Sequence, residues 1–447
     1  MGRYILKEPV SSIQAPSRHT KIDFTRQWQN FVLGFQHLLA MYSGDVLVPL
    51  LIGHYLHFST LQMTYLVSID IFMCGVATLL QLKRTPLTGI GLPVVLGCAV
   101  QAVTPLETIG GKLGITYMYG AIIAAGIFVF LIAGFFARLK KFFPPVVTGS
   151  LITIIGFTLV PVGFQDLGGG TPTAASFGDP ANLLIGFLTI AIILLFNAFA
   201  RGFMKSIAIL LGILISSFIA GALGFVSLKP VSEAAWFHAP QLFFFGVPRF
   251  DMSAMITMIL VSLTTMIEST GVFFALSDIT GRQLTTTDLE RGYRAEGIAA
   301  ILGGLFNTFP YSTFSENVGV LKMSGVKSRQ PVYYAAFLLL LLGLLPKVGA
   351  LATVIPEPVL GGAMIVMFGM VGVQGVQILH KVDFSNNANL LTASVSIGLG
   401  LGITMYPQLF QHMPTEFQII LGNGIVVTSL SAVLLNLLFN HRWANHN

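Results

Sequence analysis

The chain has 447 residues and a net charge of +6; 54% of its residues are hydrophobic and only 9% are charged. A soluble domain carries about 25% charged residues, so this composition excludes one. Apolar runs near the length needed to cross a bilayer recur along the chain and predict an all-α polytopic membrane protein with the lipid bilayer as its partner. Cytoplasmic loops of membrane proteins are rich in Lys and Arg, which accounts for the positive net charge. We therefore predict no nucleic-acid partner.

Fourteen candidate spans follow a polar, mildly basic N-terminal tail that has no apolar signal-peptide core. In chain order they are 28–53, 62–82, 89–106, 117–137, 143–163, 182–200, 205–226, 252–276, 293–306, 311–325, 332–354, 358–379, 389–409 and 418–440. The third, ninth and tenth are short or polar for a span. Twelve complete helices with two broken ones therefore describe the pattern equally well.

The basic residues orient these spans. With the N-terminus inside, twenty of the 24 Lys and Arg residues fall on inside segments, and only Lys112, Lys229, Arg249 and Lys347 fall outside. The positive-inside rule therefore predicts that both termini are cytoplasmic.

An internal repeat is visible in two Gly-rich segments. "PVVTGSLITIIGF" begins at Pro145, "PVLGGAMIVMFGM" begins at Pro358, and Gly149 and Gly156 pair with Gly362 and Gly369. Chance similarity between two membrane helices is the alternative. Because each segment is the fifth of its half, we expect two halves of seven spans with opposite orientation, as in many secondary transporters.

The repeat divides the chain into five predicted regions: a cytoplasmic tail (1–27), a first half (28–226), an extracellular loop (227–251), a second half (252–440) and a cytoplasmic tail (441–447). Both halves contain an interrupted apolar segment at the same place. The third span includes "GIGLPVVLGCAVQAVTP", and the tenth lies in "FNTFPYSTFSENVGV". Broken segments in corresponding positions point to a binding site near the middle of the membrane, because non-helical backbone survives there only inside protein or beside a cavity.

Carboxylates inside spans are costly and are therefore candidates for function. Glu268 lies deep in the eighth span, Glu316 and Asn317 follow the break in the tenth, and Glu296 lies near the start of the ninth. Each could bind a ligand or a proton. The alternatives are a hydrogen bond between helices for Glu268 and a cytoplasmic-end cap for Glu296.

Other polar residues lie in the first and third spans. Gln36, His37 and Asp45 are in the first span, where they could carry protons, shape a site or simply pack. Glu107 and Lys112 stand at the exit of the third span, and we expect them to be solvated. Cys74 and Cys98 are interpreted as small core residues that form no disulfide framework.

Proton coupling and sodium coupling use similar oxygen atoms, and the composition does not separate them. An anion exchanger is a competing function, but its site would need cationic side chains or bare helix N-termini, and no Lys or Arg stands at the centre of a predicted span. A membrane enzyme is a second competing function. The nine histidines are scattered, and no His-Glu metal spacing occurs within a span, so we predict neither an enzyme nor a metal site.

Three motifs resemble the nucleobase–ascorbate transporter family, also called nucleobase cation symporter family 2. "ENVGVLKMSG", from Glu316 to Gly325, matches the signature of that family, with Gly319 conforming and Ser324 in place of Thr. The Gln36-His37 pair and Glu268 match two further motifs. The resemblance extends from about Trp28 to Asn440.

The resemblance implies a 7+7 inverted repeat with a core domain and a gate domain, in which segments 3 and 10 carry short strands. It implies that Glu268 binds the N–H edge of a base, that Glu316 contacts the opposite side and that Asn317 holds the geometry. Backbone near Ser315 and Val100 would line the ring plane, and Gly44 would allow close approach of the first helix.

The resemblance is strongest to bacterial xanthine permeases, then to uric acid permeases, on the segments "GLPVVLGC", "IESTGV", "YRAEG" and "FNTFPYSTFS". Uracil permeases carry a histidine where this chain has Val272. Two positions depart from the purine pattern: purine members commonly have Gln at the position of Glu316, and many xanthine carriers have Asp at that of Glu296. The resemblance implies xanthine import by proton symport at the plasma membrane, without a cofactor, by a homodimer.

Overall fold

The computed structural model describes residues 24–138 and 144–441. Most of the predicted N-terminal tail and the predicted C-terminal tail after residue 441 lie outside these ranges. Within them the chain is predominantly helical, because long apolar stretches satisfy their backbone groups internally.

We number the helices and strands of the described part in chain order. They are α1 (Phe24–Asp45), α2 (Leu47–Tyr55), α3 (Thr60–Leu82), β1 (Leu96–Cys98), α4 (Val103–Lys112), α5 (Ile115–Arg138), α6 (Pro145–Leu167), α7 (Pro180–Phe199), α8 (Phe203–Ser206), α9 (Ala208–Ala222), α10 (Lys229–Glu233), α11 (Met252–Thr280), α12 (Thr286–Leu305), β2 (Tyr311–Thr313), α13 (Glu316–Ser324), α14 (Gln330–Gly343), α15 (Pro346–Thr353), α16 (Glu357–Leu379), α17 (Asn387–Met405), α18 (Thr415–Leu421) and α19 (Gly424–Asn436).

Eight helical stretches in the described residues are long and apolar enough to cross a membrane, one of them made of α1 and α2 together. A ninth span results if α14 and α15, which meet at a bend of 83°, cross as one unit. The chain is therefore an all-α polytopic membrane protein. The count of fourteen spans stays a prediction, because the remaining segments are shorter, broken or more polar.

Both interrupted segments contain a short strand next to a helix. β1 leads through a 3₁₀ turn at Val100–Ala102 into α4, and β2 is followed by α13. The two strands pair antiparallel, with Gly97 opposite Ser312. Each strand satisfies the backbone groups of the other, which allows extended chain to exist in the interior of the helix bundle.

Close packing of helices depends on glycine at the two segments of the predicted repeat. α6 and α16 each have 23 residues and pack against each other. A Cβ atom on Gly156 would lie 2.1 Å from the backbone nitrogen of Gly372, so only glycine permits this approach. The repeat itself and the division of the chain into two halves stay predictions.

The ninth segment begins earlier than the sequence analysis placed it. α12 begins at Thr286, not at residue 293, because Thr285 and Asp288 form a capping box that starts the helix in a polar stretch. Glu296 consequently lies inside the helix, and the alternative that it caps a helix end is wrong. A search for apolar residues alone misses polar first turns of this kind.

Asp288 also lies at the centre of a cluster of charged side chains at one end of the bundle. Its Oδ1 atom lies 2.6 Å from Arg84 Nη2 and 3.1 Å from Arg282 Nη2. Burial pushes the pKa of Asp288 upward, but hydrogen bonds from Thr285 and the charges of the two arginines outweigh burial and hold this pKa below its ordinary value. The cluster joins the ends of α3, α11 and α12.

Candidate functional site

A cavity of about 170 Å³ lies between the strand pair and three helices, α6, α11 and α16. Its walls are apolar with a few polar groups, which is the usual character of a small-molecule site. The lining residues are Cys98, Val100, Gln101, Ile152, Ile155, Glu268, Gly271, Val272, Ser312, Thr313, Phe314, Ser315, Met367, Val371, Gln374 and Ile378.

Glu268 supplies the carboxylate of this cavity. It lies on α11 and is half-buried. The Gln101 amide donates one hydrogen bond to Glu268 Oε2 at 2.9 Å and another to Thr265 Oγ1 at 2.8 Å. These contacts hold the carboxylate in place at the cavity wall.

Gln101 is a site residue that the sequence analysis missed. It is buried and follows directly after β1, where the broken third segment turns back into a helix. The same reasoning that selected intramembrane carboxylates would have found it, since a buried amide in an apolar segment also needs partners. Gln374, on α16, is a second missed residue of the lining.

Backbone and hydroxyl groups form the wall on the side of the strands. Val100 and Ser315 both line the cavity, and their contact with the plane of a base stays a prediction. Thr313 donates from its backbone N–H and its hydroxyl toward Ser269 Oγ, at 3.4 and 3.2 Å, which ties β2 to α11. These contacts fix the strand pair against the helix that carries Glu268.

Val272 occupies the position that, by resemblance, is histidine in uracil permeases. It is buried, lies one turn after Glu268 and lines the same cavity. The residue on which the sequence analysis distinguished purine from uracil carriers therefore borders the candidate site.

Asn317 and His37 lie together but do not line the cavity. His37 Nδ1 and Asn317 Oδ1 are 2.8 Å apart, so the ring nitrogen donates to the amide oxygen. Both side chains are buried. The pair joins α1 to α13. The geometry-holding role of Asn317 and the site-shaping role of His37 stay predictions.

Gly44 lies directly behind the cavity wall. A Cβ atom there would be 2.7 Å from Phe314 Cζ and 3.5 Å from Met367 Sδ, and both of these residues line the cavity. The absence of a side chain on α1 therefore lets the wall pack as it does.

The signature segment forms α13. The side chain of Glu316 lies outside the described part of the chain, and its backbone begins the helix. Gly319 is exposed with open space around its Cα. Ser324 donates to the Leu321 carbonyl, and Gly325 ends the helix at φ +67°, a left-handed conformation that favours glycine.

Glu296 is brought near the site but not into it. It borders a separate void of about 20 Å³ between α5, α11 and α12, and neither of its carboxylate oxygens has a hydrogen-bond partner among the described residues. A void of this size holds about one water molecule. Glu296 is therefore a buried carboxyl group one layer behind the cavity.

Two other expectations have different outcomes. Gln36 is half-buried on α1 and is not among the residues that line the cavity. The expectation that Glu107 is solvated is wrong. Glu107 is only 8% exposed, because α4 packs inside the bundle. Lys112, one turn later, is exposed and donates to Gln418 Oε1 at 2.9 Å.

Comparison with known proteins decides the family. A family model described as "Permease family" matches residues 28–409. The chain is 51% identical to the uric acid permease PucK and 50% identical to the xanthine permease of Bacillus subtilis, over 93% and 91% of its length and 97% and 93% of theirs. The chain belongs to the nucleobase–ascorbate transporter family. It is therefore a transporter, not an enzyme.

A third relative is the nucleobase transporter PlUacP of Paenibacillus larvae, at 49% identity over 93% of this chain and 95% of that one. These members of the family are named for purine nucleobases such as xanthine and uric acid, and the present chain accordingly transports purine nucleobases across a membrane.

Solved structures show how widely the fold is used. The transmembrane domain of the cyanobacterial bicarbonate transporter BicA aligns with a TM-score of 0.59 at 15% identity, covering 92% of this chain and 97% of that one. Murine Solute Carrier 26 family member A9, an anion transporter in the inward-facing state, aligns with a TM-score of 0.61 at 11% identity, covering 98% and 77%. At these identities the likeness concerns the fold alone.

Proposed function

We propose that the protein imports xanthine by proton symport through an alternating-access cycle, with the cavity at Glu268 as the substrate site. The observation that carries the proposal is the contact between Glu268 and Gln101 at the cavity wall. A carboxylate held in this way accepts hydrogen bonds from the N–H groups of a purine.

A purine fits the lining better than an anion does. Among the described residues that line the cavity there is no lysine or arginine to pair with a small inorganic anion. The anion transporters with the same fold therefore supply no argument for anion exchange here. Uracil is a weaker candidate, because the position of Val272 offers no imidazole.

Uric acid is the second candidate substrate. The observation that favours it is the 51% sequence identity to a uric acid permease, which is as high as the 50% identity to the xanthine permease. Xanthine and uric acid differ at the C8 edge of the ring, so the groups that face that edge would decide between them.

The proton is the proposed coupling ion, and no cofactor is needed. Glu268 and Glu296 are intramembrane carboxyl groups that can be neutral or charged during the cycle. Sodium coupling is the alternative, since it would use similar oxygens. We further propose a location in the cell membrane with both termini in the cytoplasm, two inverted halves forming core and gate domains, and a homodimer.

Uptake by cells that lack their own nucleobase carriers tests this function. Labelled xanthine, uric acid and uracil are supplied with and without a protonophore, and with sodium replaced by choline. The proposal predicts saturable xanthine uptake that the protonophore abolishes and choline leaves unchanged. Preferential uric acid uptake would establish the second candidate, and uracil uptake without purine uptake would contradict the assignment.

A further inference from the structure

A second cluster of acidic groups lies beside the strand pair, away from Glu268. Asp45 at the end of α1, Asp70 and Cys74 on α3, Cys98 on β1 and Tyr311 on β2 are each no more than 1% exposed. One oxygen of each aspartate and the sulfur of Cys74 lie within 4.8 Å of one another. Asp70 was not selected in the sequence analysis, although it stands in an apolar span.

The contacts of Asp45 are made with neutral donors. Its Oδ1 atom accepts the backbone N–H of Cys98 at 2.6 Å. The Cys74 thiol lies 3.4 and 3.3 Å from its two oxygens, which is a weak hydrogen bond.

The contacts of Asp70 leave one oxygen unsatisfied. Its Oδ1 atom accepts from the Tyr311 hydroxyl at 2.9 Å and from the Cys98 thiol at 3.0 Å. Its Oδ2 atom is buried and has no hydrogen-bond partner in the described part of the chain. Tyr311 also contacts Thr308 Oγ1 at 2.7 Å, so its single proton is shared between two acceptors.

No positive charge balances the two aspartates. None of the four ion pairs within residues 24–138 and 144–441 includes Asp45 or Asp70. Two bare carboxylates at this separation would repel each other strongly in a medium of low dielectric constant. Such a pair keeps one proton, as paired carboxyl groups in other proteins do.

We propose that Asp45 and Asp70 share one proton and form a second buried proton site, distinct from the Glu268 cavity. A proton satisfies the unpartnered oxygen and halves the buried charge without moving a side chain. Sodium suits the cluster less well, because hard cations favour several oxygen ligands and two of the nearest groups are thiols.

The position of the pair connects it to the substrate cavity. Asp45 accepts a hydrogen bond from the backbone N–H of Cys98, and Cys98 itself lines the cavity. A Cβ atom on Gly97 would lie 2.8 Å from Asp45 Oδ1, so β1 rests directly on the carboxyl group. Loss of the shared proton would therefore move β1 and, with it, the residues that orient Glu268. The connection to transport rests on the proposed function, whereas the proton site itself does not.

The other titratable groups near the pair are neutral around pH 7. They are Tyr42 from α1, Cys74 from α3, Cys98 from β1, Tyr311 from β2 and Tyr119 from α5. Tyrosine and cysteine side chains ordinarily titrate near about 10 and 8.5. A proton that leaves or enters this cluster between pH 5 and 8 is consequently that of the aspartate pair.

Infrared spectroscopy of the purified full-length transporter in lipid nanodiscs tests the proton site. The carbonyl stretch of a protonated carboxyl group is recorded between pH 5 and 8, with wild-type protein carrying ordinary or ¹³C-carboxyl-labelled aspartate. We expect a band at pH 7 that shifts with the label. Asp70→Asn should remove one component, because an amide N–H then replaces the shared proton, whereas Asp166→Asn should remove none of that component.

Asp45→Asn is the second variant and keeps the assignment testable if Asp70→Asn fails to fold, because the labelled band of the wild type alone does not separate the pair from Asp166, another buried aspartate. A wild-type protein without an aspartate-derived band would overturn the proposal, as would a band that Asp70→Asn leaves intact. Thermal unfolding in sodium, potassium and choline, and with a chelator, provides a second readout. We expect equal midpoints; a midpoint that rises with sodium or falls with the chelator would mean a metal site instead.

The link to the substrate is measured separately by xanthine binding to the same samples. We expect the change in the xanthine dissociation constant between pH 5 and 8 to be at least about threefold smaller in Asp70→Asn than in the wild type. An unchanged pH profile would overturn the link. Absence of xanthine binding by the wild type, with the aspartate band present, would instead refute the proposed substrate and leave the proton site standing.

Discussion

The contact between Gln101 and Glu268 is the residue-scale feature on which the substrate site depends. Hydrogen bonds to charged groups contribute about 1.5–3 kcal/mol, which corresponds to roughly 10- to 100-fold in affinity. We expect Gln101→Leu to weaken xanthine binding by a factor in this range, measured as the dissociation constant of the purified protein.

Gln81→Leu is the matched control for that variant. Gln81 is also a buried amide, but it bonds Gly292 and Ile90 away from the cavity. It should lower the melting temperature and leave xanthine affinity within about twofold. Equal effects of the two variants on affinity would mean that Gln101 acts only through stability.

Glu316 is the residue whose role the sequence alone suggests, because its side chain lies outside the described part of the chain. We expect Glu316→Gln to retain purine uptake, since the resemblance places Gln at this position in many purine carriers. Uptake of labelled xanthine at matched membrane expression measures it. Loss of transport of every base would show that the carboxylate itself is required.

At the scale of elements, the close approach of α1 to the cavity wall depends on Gly44. Overpacking of an interior costs about 1–3 kcal/mol. We therefore expect Gly44→Ala to displace Phe314 and lower xanthine affinity by about tenfold. Gly369→Ala on α16 is the control, because no atom lies within 4 Å of its Cβ position. Similar uptake by the two variants would contradict this role of Gly44.

The broken elements were predictable, whereas their partners were not. Pro93, Pro105 and Pro310 interrupt two apolar segments and reveal the breaks in the sequence. The antiparallel pairing of β1 with β2 and the position of Gln101 behind Glu268 join residues far apart in the chain. Such contacts leave no local pattern, so the partners could not be predicted. Gln101 and Asp70 themselves are polar residues in apolar segments, a pattern that the sequence does show.

At the scale of the whole molecule, Asp288 holds three helices together through Arg84 and Arg282. Removing the charge should cost about 1.5–3 kcal/mol, so we expect Asp288→Asn to lower the melting temperature of the detergent-solubilised protein. The exposed Asp383→Asn is the control and should leave it unchanged. Equal melting temperatures for the two variants would mean that the charged cluster does not stabilise the fold.

The same cluster predicts an acid limit for stability. Because the pKa of Asp288 is lowered in the folded protein, its stabilising contribution is complete above the ordinary aspartate range and is lost as the pH falls through the lowered value. We expect the melting temperatures of the wild type and Asp288→Asn to converge once the pH is well below the ordinary aspartate value of about 3.9. A constant difference down to that pH would contradict this assignment.

The most direct test of the account is xanthine uptake into proteoliposomes that contain the purified protein and an imposed inward proton gradient. We predict accumulation of xanthine in wild-type vesicles, its collapse by a protonophore, and no accumulation with Glu268→Gln, although that variant inserts and unfolds at a similar temperature. Normal accumulation by Glu268→Gln would remove Glu268 from the site, and gradient-independent uptake by the wild type would contradict proton symport.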